Sequence, residues 1–101
     1  MEANVLSQEG QTTIRLGGRF DFSAHRVFRD AVAQALVPGE VRELQVDLRD
    51  VGYLDSSALG MLLMLRDKAR AANCLLSLAN CTGNVKQILE IANFGRLFSM
   101  V

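Results

Sequence analysis

Segments with two different hydrophobic periods alternate along this chain, and that alternation constrains its fold more than any other feature. Apolar and polar residues alternate at 12–16 and 41–48, which predicts β-strands with one buried face. Between and after them, apolar residues recur every three to four positions, which predicts amphipathic helices. Strands that alternate with helices are typical of α/β domains.

The predicted order is strand, strand, helix, strand, helix, strand, helix, with a short closing strand. Because the second and third strands alternate instead of being apolar throughout, we expect a mixed sheet of four to five strands. Helices would pack mainly on one face and leave a wetter face opposite. Strands are expected at 4–7, 12–16, 41–48, 74–79 and 98–101, and helices from a cap at Ser23 to just before Pro38, at 55–72 and at 84–92.

Small and polar residues mark the expected ends of two strands. Gly17 and Gly18 are expected to end the second strand, and a turn at 50–52 to end the third. In the second helix, helical spacing predicts a core stripe of Ala58, Leu62, Leu65, Ala69 and Ala72.

Length and charge exclude several function classes. A chain of 101 residues with 50% hydrophobic content suits one domain, residues 1–101, and is too short for two. Eleven basic residues balance eleven acidic ones, so we expect no binding to nucleic acid or to an anionic membrane. The longest apolar run, 58–65, is too short to span a bilayer, and no secretion signal opens the chain. We therefore expect a cytoplasmic protein.

The common signatures of enzymes are missing from the sequence. It contains no glycine-rich nucleotide motif, no metalloprotease motif and no nucleophile elbow. His25, the only histidine, is predicted to lie on a helix without a nearby nucleophile. Cys74 and Cys81 are too few for a zinc site and too far apart along a predicted strand for a disulfide. We expect two buried, inert thiols, no catalysis and no cofactor.

Four aspartates leave one enzymatic alternative open. Strand-end carboxylates can hold Mg²⁺ in phosphotransfer domains, and Asp21, Asp47, Asp50 and Asp55 follow or end predicted strands. A receiver domain would also need a first-strand acidic pair and a strand-end lysine, and the first lysine here is Lys68. The alternative therefore rests on a count of carboxylates, and a metal site is not expected.

The segment Asp55-Ser56-Ser57 opens the second predicted helix and allows two interpretations. Asp55 can cap the helix while the serines occupy its first turn. Alternatively, the free N–H groups and the positive end of the helix dipole can hold a phosphate on a serine hydroxyl. At about 100° per residue, Ser56 lies roughly 160° from Ala58 and so faces outward. Beside it lie Gly60, Leu63 and Met64. The last two form an apolar patch typical of a partner surface, unless the third helix or the last strand covers them.

Four segments of the chain resemble one known family. They are Gly18-Arg19-Phe20-Asp21, residues 46–51, residues 54–60 and residues 84–89. Together they are similar to the STAS domains of bacterial anti-sigma-factor antagonists, and the resemblance covers essentially the whole chain. It implies that the serine directly after the aspartate, Ser56, is phosphorylated, with Asp55 and Ser57 as its neighbours. The family's aspartate after strand two corresponds to Asp21, expected near Ser56.

The resemblance also implies partners. In such proteins a serine kinase that is itself the anti-sigma factor phosphorylates the antagonist, and a phosphatase reverses this. The unphosphorylated form binds the kinase and frees a sigma factor. A STAS subunit of a transporter or of a stress-signalling assembly is the alternative within the same fold.

Two features depart from the family pattern. Ala58 stands where many members have glycine. The chain also ends at Val101, before the final helix of longer members. Without that helix the last strand lacks a cover, and an uncovered edge strand favours self-association.

Overall fold

The strands form one mixed sheet in the order in which they occur along the chain. The structure is a computed structural model and describes residues 1–37 and 40–101. β1 is antiparallel to β2, and the other neighbouring strands are parallel. The predicted mixed sheet is thereby confirmed, with five strands. Their bounds are β1 Glu2–Gln8, β2 Gln11–Phe20, β3 Glu43–Leu54, β4 Leu75–Ala79 and β5 Ser99–Met100.

Three helices connect the parallel strands: α1 His25–Ala35, α2 Ser56–Ala71 and α3 Gly83–Ile91. Right-handed crossovers between parallel strands that follow one another across a sheet place their helices on the same face. α1 contacts β1 and β2, α2 contacts β3 and β4, and α3 contacts β3. The core between sheet and helices is fully apolar at its centre, with Ile14, Leu16, Phe28, Leu44, Val46, Leu62 and Leu65 all buried.

The opposite face of the sheet is polar, as expected. Asp47 lies there, 9% exposed, and pairs in register with Arg15 on β2. Its Oδ1 accepts hydrogen bonds from the Arg49 N–H at 2.9 Å and the Asn80 amide at 3.1 Å. The Arg15 Nε lies 3.9 Å from Oδ2. Burial alone would raise the pKa of the Asp47 carboxyl, but these hydrogen bonds and the charges of Arg49 and Arg15 hold it below its usual value.

β2 and β3, which both end beside the start of α2, are longer than predicted. Gly17 and Gly18 do not end β2, because β-bulges on either side of this pair shift the register against β3 and let pairing continue. Gly18 takes a φ of +91°, which favours glycine. The turn expected at 50–52 is likewise wrong, since β3 runs through it to Leu54. β2 and β3 therefore end side by side.

The predicted cap of α1 and one core position are wrong. Ser23 does not cap α1; it lies in a 3-10 turn, Phe22–Ala24, that Asp21 caps. Ala72, predicted as the last position of the core stripe, is the C-cap just after α2 and is exposed. Met61, absent from the predicted stripe, is buried on the side of α2 that faces the start of α1. Pro38 and Gly39, expected to follow α1, lie outside the described residues.

Both cysteine thiols are free. Cys74 is buried, as expected, whereas Cys81 is only half-buried. Burial raises the pKa of both thiols, and the charges of Glu43 and Asp47 add to that rise for Cys74 and Cys81 respectively.

Candidate functional site

The site lies where β2 and β3 end together at the carboxyl edge of the sheet. Phe20 pairs with Leu54, and the Asp55 N–H donates a hydrogen bond of 3.2 Å to the Phe20 carbonyl. This hydrogen bond joins Phe20 and Asp55. Asp21 follows directly after Phe20, and Ser56 follows directly after Asp55. The structure therefore brings the backbone of Asp21 next to the start of α2.

Asp55 is the N-cap of α2. Its backbone is extended, with φ −111°, and its Oδ1 accepts a hydrogen bond of 3.0 Å from the Ala58 N–H. The first N–H groups of a helix have no partner inside the helix, so this cap leaves those of Ser56 and Ser57 directed at whatever lies in front of α2. Both serine side chains are exposed. Capping and phosphate binding are therefore compatible, because different N–H groups serve them.

A carboxylate and a cation lie beside this terminus. Asp21 Oδ1 accepts hydrogen bonds from the Ser23 N–H at 3.0 Å and from the Ser23 hydroxyl. The Arg19 Nε lies 3.5 Å from Asp21 Oδ2, and its guanidinium carbon lies 4.3 Å from the centroid of the Tyr53 ring. The hydrogen bonds from the Ser23 hydroxyl and N–H, aided by Arg19, hold the pKa of Asp21 below its usual value.

A groove of about 250 Å³ separates the start of α1 from α2. Phe22, a residue that the sequence analysis missed, lines it with 75% of its surface exposed. The signal available was an aromatic residue between Asp21 and the predicted helix cap at Ser23. The residues that line the groove are Phe22, His25, Ser57, Gly60, Met61 and Met64.

The structure divides the three predicted partner residues between two surfaces. Gly60 and Met64 line the groove, and Met64 is half-buried there. Leu63 is 37% exposed and is absent from the groove lining. Ser56 does not line the groove; it is exposed at the first position of α2, one residue before Ser57 in the groove wall.

The four aspartates do not form one site. Asp21 and Asp55 bond locally, Asp47 lies on the polar face of the sheet, and Asp50 is exposed in a separate pocket beside Arg15. Within residues 1–37 and 40–101, no three His, Cys, Asp or Glu side chains are placed to hold a metal ion. Of the helices described, none has the length and apolar character needed to cross a membrane.

Sequence similarity to known proteins covers almost the whole chain. The family model described as "Mlab, STAS domain" matches residues 4–101. A STAS-domain-containing protein of Pseudomonas aeruginosa is 54% identical over 96 residues, which are 93% of this chain and 92% of that protein.

Two solved proteins share the fold at lower identity. The anti-sigma factor antagonist SpoIIAA of Bacillus is 19% identical, with a TM-score of 0.74 unphosphorylated and 0.73 phosphorylated. Those matches cover 99% of this chain and 87% or 91% of SpoIIAA. A sulfate transporter family protein from Wolinella succinogenes is 13% identical with a TM-score of 0.76, covering 90% of this chain and 73% of that one.

Proposed function

This chain belongs to the STAS-domain family, and we propose that it is a bacterial anti-sigma-factor antagonist controlled by phosphorylation of Ser56. The unphosphorylated form binds a kinase-type anti-sigma factor and thereby frees a sigma factor. Phosphorylation releases the kinase, and a phosphatase restores binding. The protein acts in the cytoplasm, where the sigma factor works.

The observation that carries the proposal is the position of Ser56 at the α2 terminus. Ser56 is the first residue of a 16-residue helix, it is exposed, and Asp55 caps the Ala58 N–H. The helix dipole and the remaining free N–H groups stabilise a phosphate of nearly two negative charges there. The domain can therefore carry the phosphate without rearranging.

Ser56 suits this role better than Ser57. Helical phase directs Ser56 away from the core, whereas Ser57 forms part of the groove wall beside Phe22 and His25. A kinase active site must surround the hydroxyl that it phosphorylates, which an outward serine allows. Ser57 instead shapes the surface that the partner contacts.

The protein supplies recognition and the partner supplies the chemistry. Nucleotide binding and phosphoryl transfer belong to the kinase, and this chain contributes the hydroxyl, the apolar groove and the flanking charges of Asp21 and Arg19. The similarity to SpoIIAA is nearly the same with and without its phosphate, which supports a domain that carries the phosphate without rearranging.

A second function within the same fold is a STAS subunit of a transporter. The similarity to the Wolinella protein, named as a sulfate transporter family member, favours it. In that role the same surface would bind a transporter subunit and phosphate on Ser56 would have no effect.

Affinity purification of wild type and Ser56→Ala from the native host distinguishes the two functions. We expect a serine kinase with anti-sigma activity among the co-purifying proteins, enriched with Ser56→Ala, which cannot be released. Incubation of the purified pair with ATP should then place phosphate on Ser56, located by mass spectrometry, with Ser57→Ala as the matched control. Recovery of a transporter subunit with equal yield from both forms would support the alternative.

A further inference from the structure

The groove beside Ser56 has an apolar floor that is open to solvent. Met61 is buried and Met64 half-buried, and Phe22 projects at one side. A side chain added at Gly60 would meet nothing within 4 Å, so the backbone of α2 is open to close approach there. Methionine side chains are flexible and polarisable, which suits them to an incoming apolar surface.

The two helices that form the groove carry basic residues along it. Both helices follow parallel strands and begin at the same edge of the sheet, so they run in the same direction. Residues three or four apart lie on one side of a helix, which places Arg29 one turn beyond His25 and Lys68 one turn beyond Met64. Arg26 and Asp30 lie one turn apart in the exposed surface of α1, and Asp67 is the acidic residue at this side of α2.

These basic residues have no acidic partner within the chain as described. The ion pairs of the described residues are Arg15 with Asp47 and Arg19 with Asp21, both elsewhere. Arg26, Arg29 and Lys68 are all exposed. Against these three basic residues stand two exposed acidic ones, Asp30 and Asp67, so the groove is bordered by one net positive charge.

From the apolar floor and the basic borders, we infer that the groove receives an acidic amphipathic helix. An apolar stripe at i, i+3, i+4 and i+7 would contact Phe22, Met61 and Met64, while Asp or Glu on its flanks would face Arg29 and Lys68. The inference rests on the proposed function for the identity of the protein that carries this helix, which is the kinase-type partner.

The same geometry gives the phosphate a direct way to act. Ser56 lies outside the groove, one residue before Ser57 in its wall. Charges interact over about 8 Å at physiological ionic strength. A phosphate on Ser56 therefore repels an acidic segment that approaches the groove at Ser57, whereas it attracts a basic one.

Three synthetic peptides of about 15 residues, long enough for marginal helix formation, test the inference. They share one apolar stripe and carry Glu, Gln or Lys on the polar face. Each is titrated into the full chain with ¹³C-methyl methionine. Met61 and Met64 report on the groove, and Met1 and Met100, which line other pockets, serve as internal controls.

We expect the Glu peptide to bind about tenfold more tightly than the Lys peptide at low salt, and the difference to shrink as salt rises. Shifts should be largest at the Met61 and Met64 methyls. The variant Arg29→Glu with Lys68→Glu should reverse the preference. Arg42→Glu with Lys86→Glu, a double reversal of the same size at exposed residues outside the groove, should keep it, with both variants checked for folding by urea denaturation.

Phosphoserine at position 56 should weaken binding of the Glu peptide and should leave binding of the Lys peptide as tight or make it tighter. Equal affinity of the three peptides, largest shifts at Met1 or Met100, or no binding at millimolar peptide would each overturn the inference. Peptide binding requires no kinase, so it can fail while Ser56 is still phosphorylated by the partner. In that case the proposed function stands and the acidic helix is wrong.

Discussion

The side-chain amide of Asn80 donates a hydrogen bond of 3.1 Å to the carboxylate of Asp47, 33 residues earlier in the chain. The bond ties the loop after β4 to the middle of β3. Asp47 is only 9% exposed, and this burial would raise the pKa of its carboxyl. The hydrogen bonds from the Arg49 N–H and Asn80, with the charges of Arg49 and Arg15, hold that pKa below its usual value instead. The polar face of the sheet is therefore stabilised by a buried carboxylate.

The first prediction is that Asp47 makes the fold sensitive to acid. Its pKa is lower in the folded chain than in the unfolded one, so its contribution is present above the unfolded value of about 3.9 and is lost as pH falls through the folded value. The free energy of unfolding of wild type, measured by urea titration, should fall between about pH 5 and pH 3. Asp47→Asn should be less stable at pH 7 by about 1–2 kcal/mol and should lose less on acidification.

Asp30→Asn is the matched control, because Asp30 is exposed on α1 and has no ion pair among the described residues. Its acid response should follow that of wild type. An Asp47→Asn variant with the same acid response as wild type would contradict the assigned role of Asp47.

The second prediction distinguishes the capping hydrogen bond that Asp55 accepts at the start of α2 from the charge of the Asp55 carboxylate. Asp55→Ala removes the acceptor of the Ala58 N–H and should lower the free energy of unfolding by about 1 kcal/mol. Asp55→Asn keeps a capping oxygen and should stay close to wild type, since Asn and Asp cap about equally well. Urea denaturation of both variants measures this. An Asn variant as unstable as the Ala variant would show that the charge, and not the hydrogen bond, stabilises the terminus.

The order of the elements could be predicted from the sequence, because the spacing of apolar residues along a segment shows which side of that strand or helix is buried. The sequence predicted the buried positions Ala58, Leu62 and Leu65 for the same reason. It failed at Gly17 and at 50–52, because there bulges and partner strands override the local preference for a turn. In each case the missing information was a contact with a residue far away in the chain.

The candidate site, like the fold, could be predicted from the sequence only in part. Ser56 and Asp55 could be found because capping is local. Phe22, Tyr53 and the groove could not, since their proximity depends on how β2 ends beside β3 and how α1 packs beside α2. The outward position of Met64 was predicted from helical phase alone, which does not include the neighbouring helix that half-buries it.

The third prediction concerns Met64. Met64→Glu places a charge in the apolar groove, where a bound partner would desolvate it. Binding to the kinase should weaken by about tenfold or more, while the open groove keeps the loss in unfolding free energy below about 1 kcal/mol. Leu75→Glu, on β4 and 70% exposed, is the matched control and should bind normally. Unfolding of Met64→Glu would mean that the residue belongs to the core.

The fourth prediction is that the cysteines serve packing. Cys74→Ala should cost roughly 1–3 kcal/mol of stability because the thiol is buried, and Cys81→Ala should cost less. Since burial raises the pKa of both thiols, a thiol reagent at pH 7 should modify the folded protein slowly and the urea-unfolded protein fast. Partner binding by the folded variants should survive. Loss of binding at unchanged stability would assign the cysteines a direct role.

The fifth prediction concerns the switch at Ser56. A phosphate there meets the free N–H groups of α2, so the unfolding free energy of the phosphorylated domain should stay within about 1 kcal/mol of the unmodified domain. Affinity for the kinase should fall instead, by about 2–5 kcal/mol, or on the order of thirtyfold to several thousandfold, because the partner must desolvate or repel the dianion.

Three variants complete this test of the switch. Ser56→Ala should bind the kinase regardless of ATP, and Ser56→Asp should bind poorly, although one carboxylate carries less charge than a phosphate. Ser57→Ala, the neighbouring control, should still accept phosphate. Calorimetric titration of each with the kinase, beside phosphate incorporation, measures both effects. Phosphate on Ser57, or equal affinity of the phosphorylated and unmodified domains, would show that the control of binding lies elsewhere in the molecule.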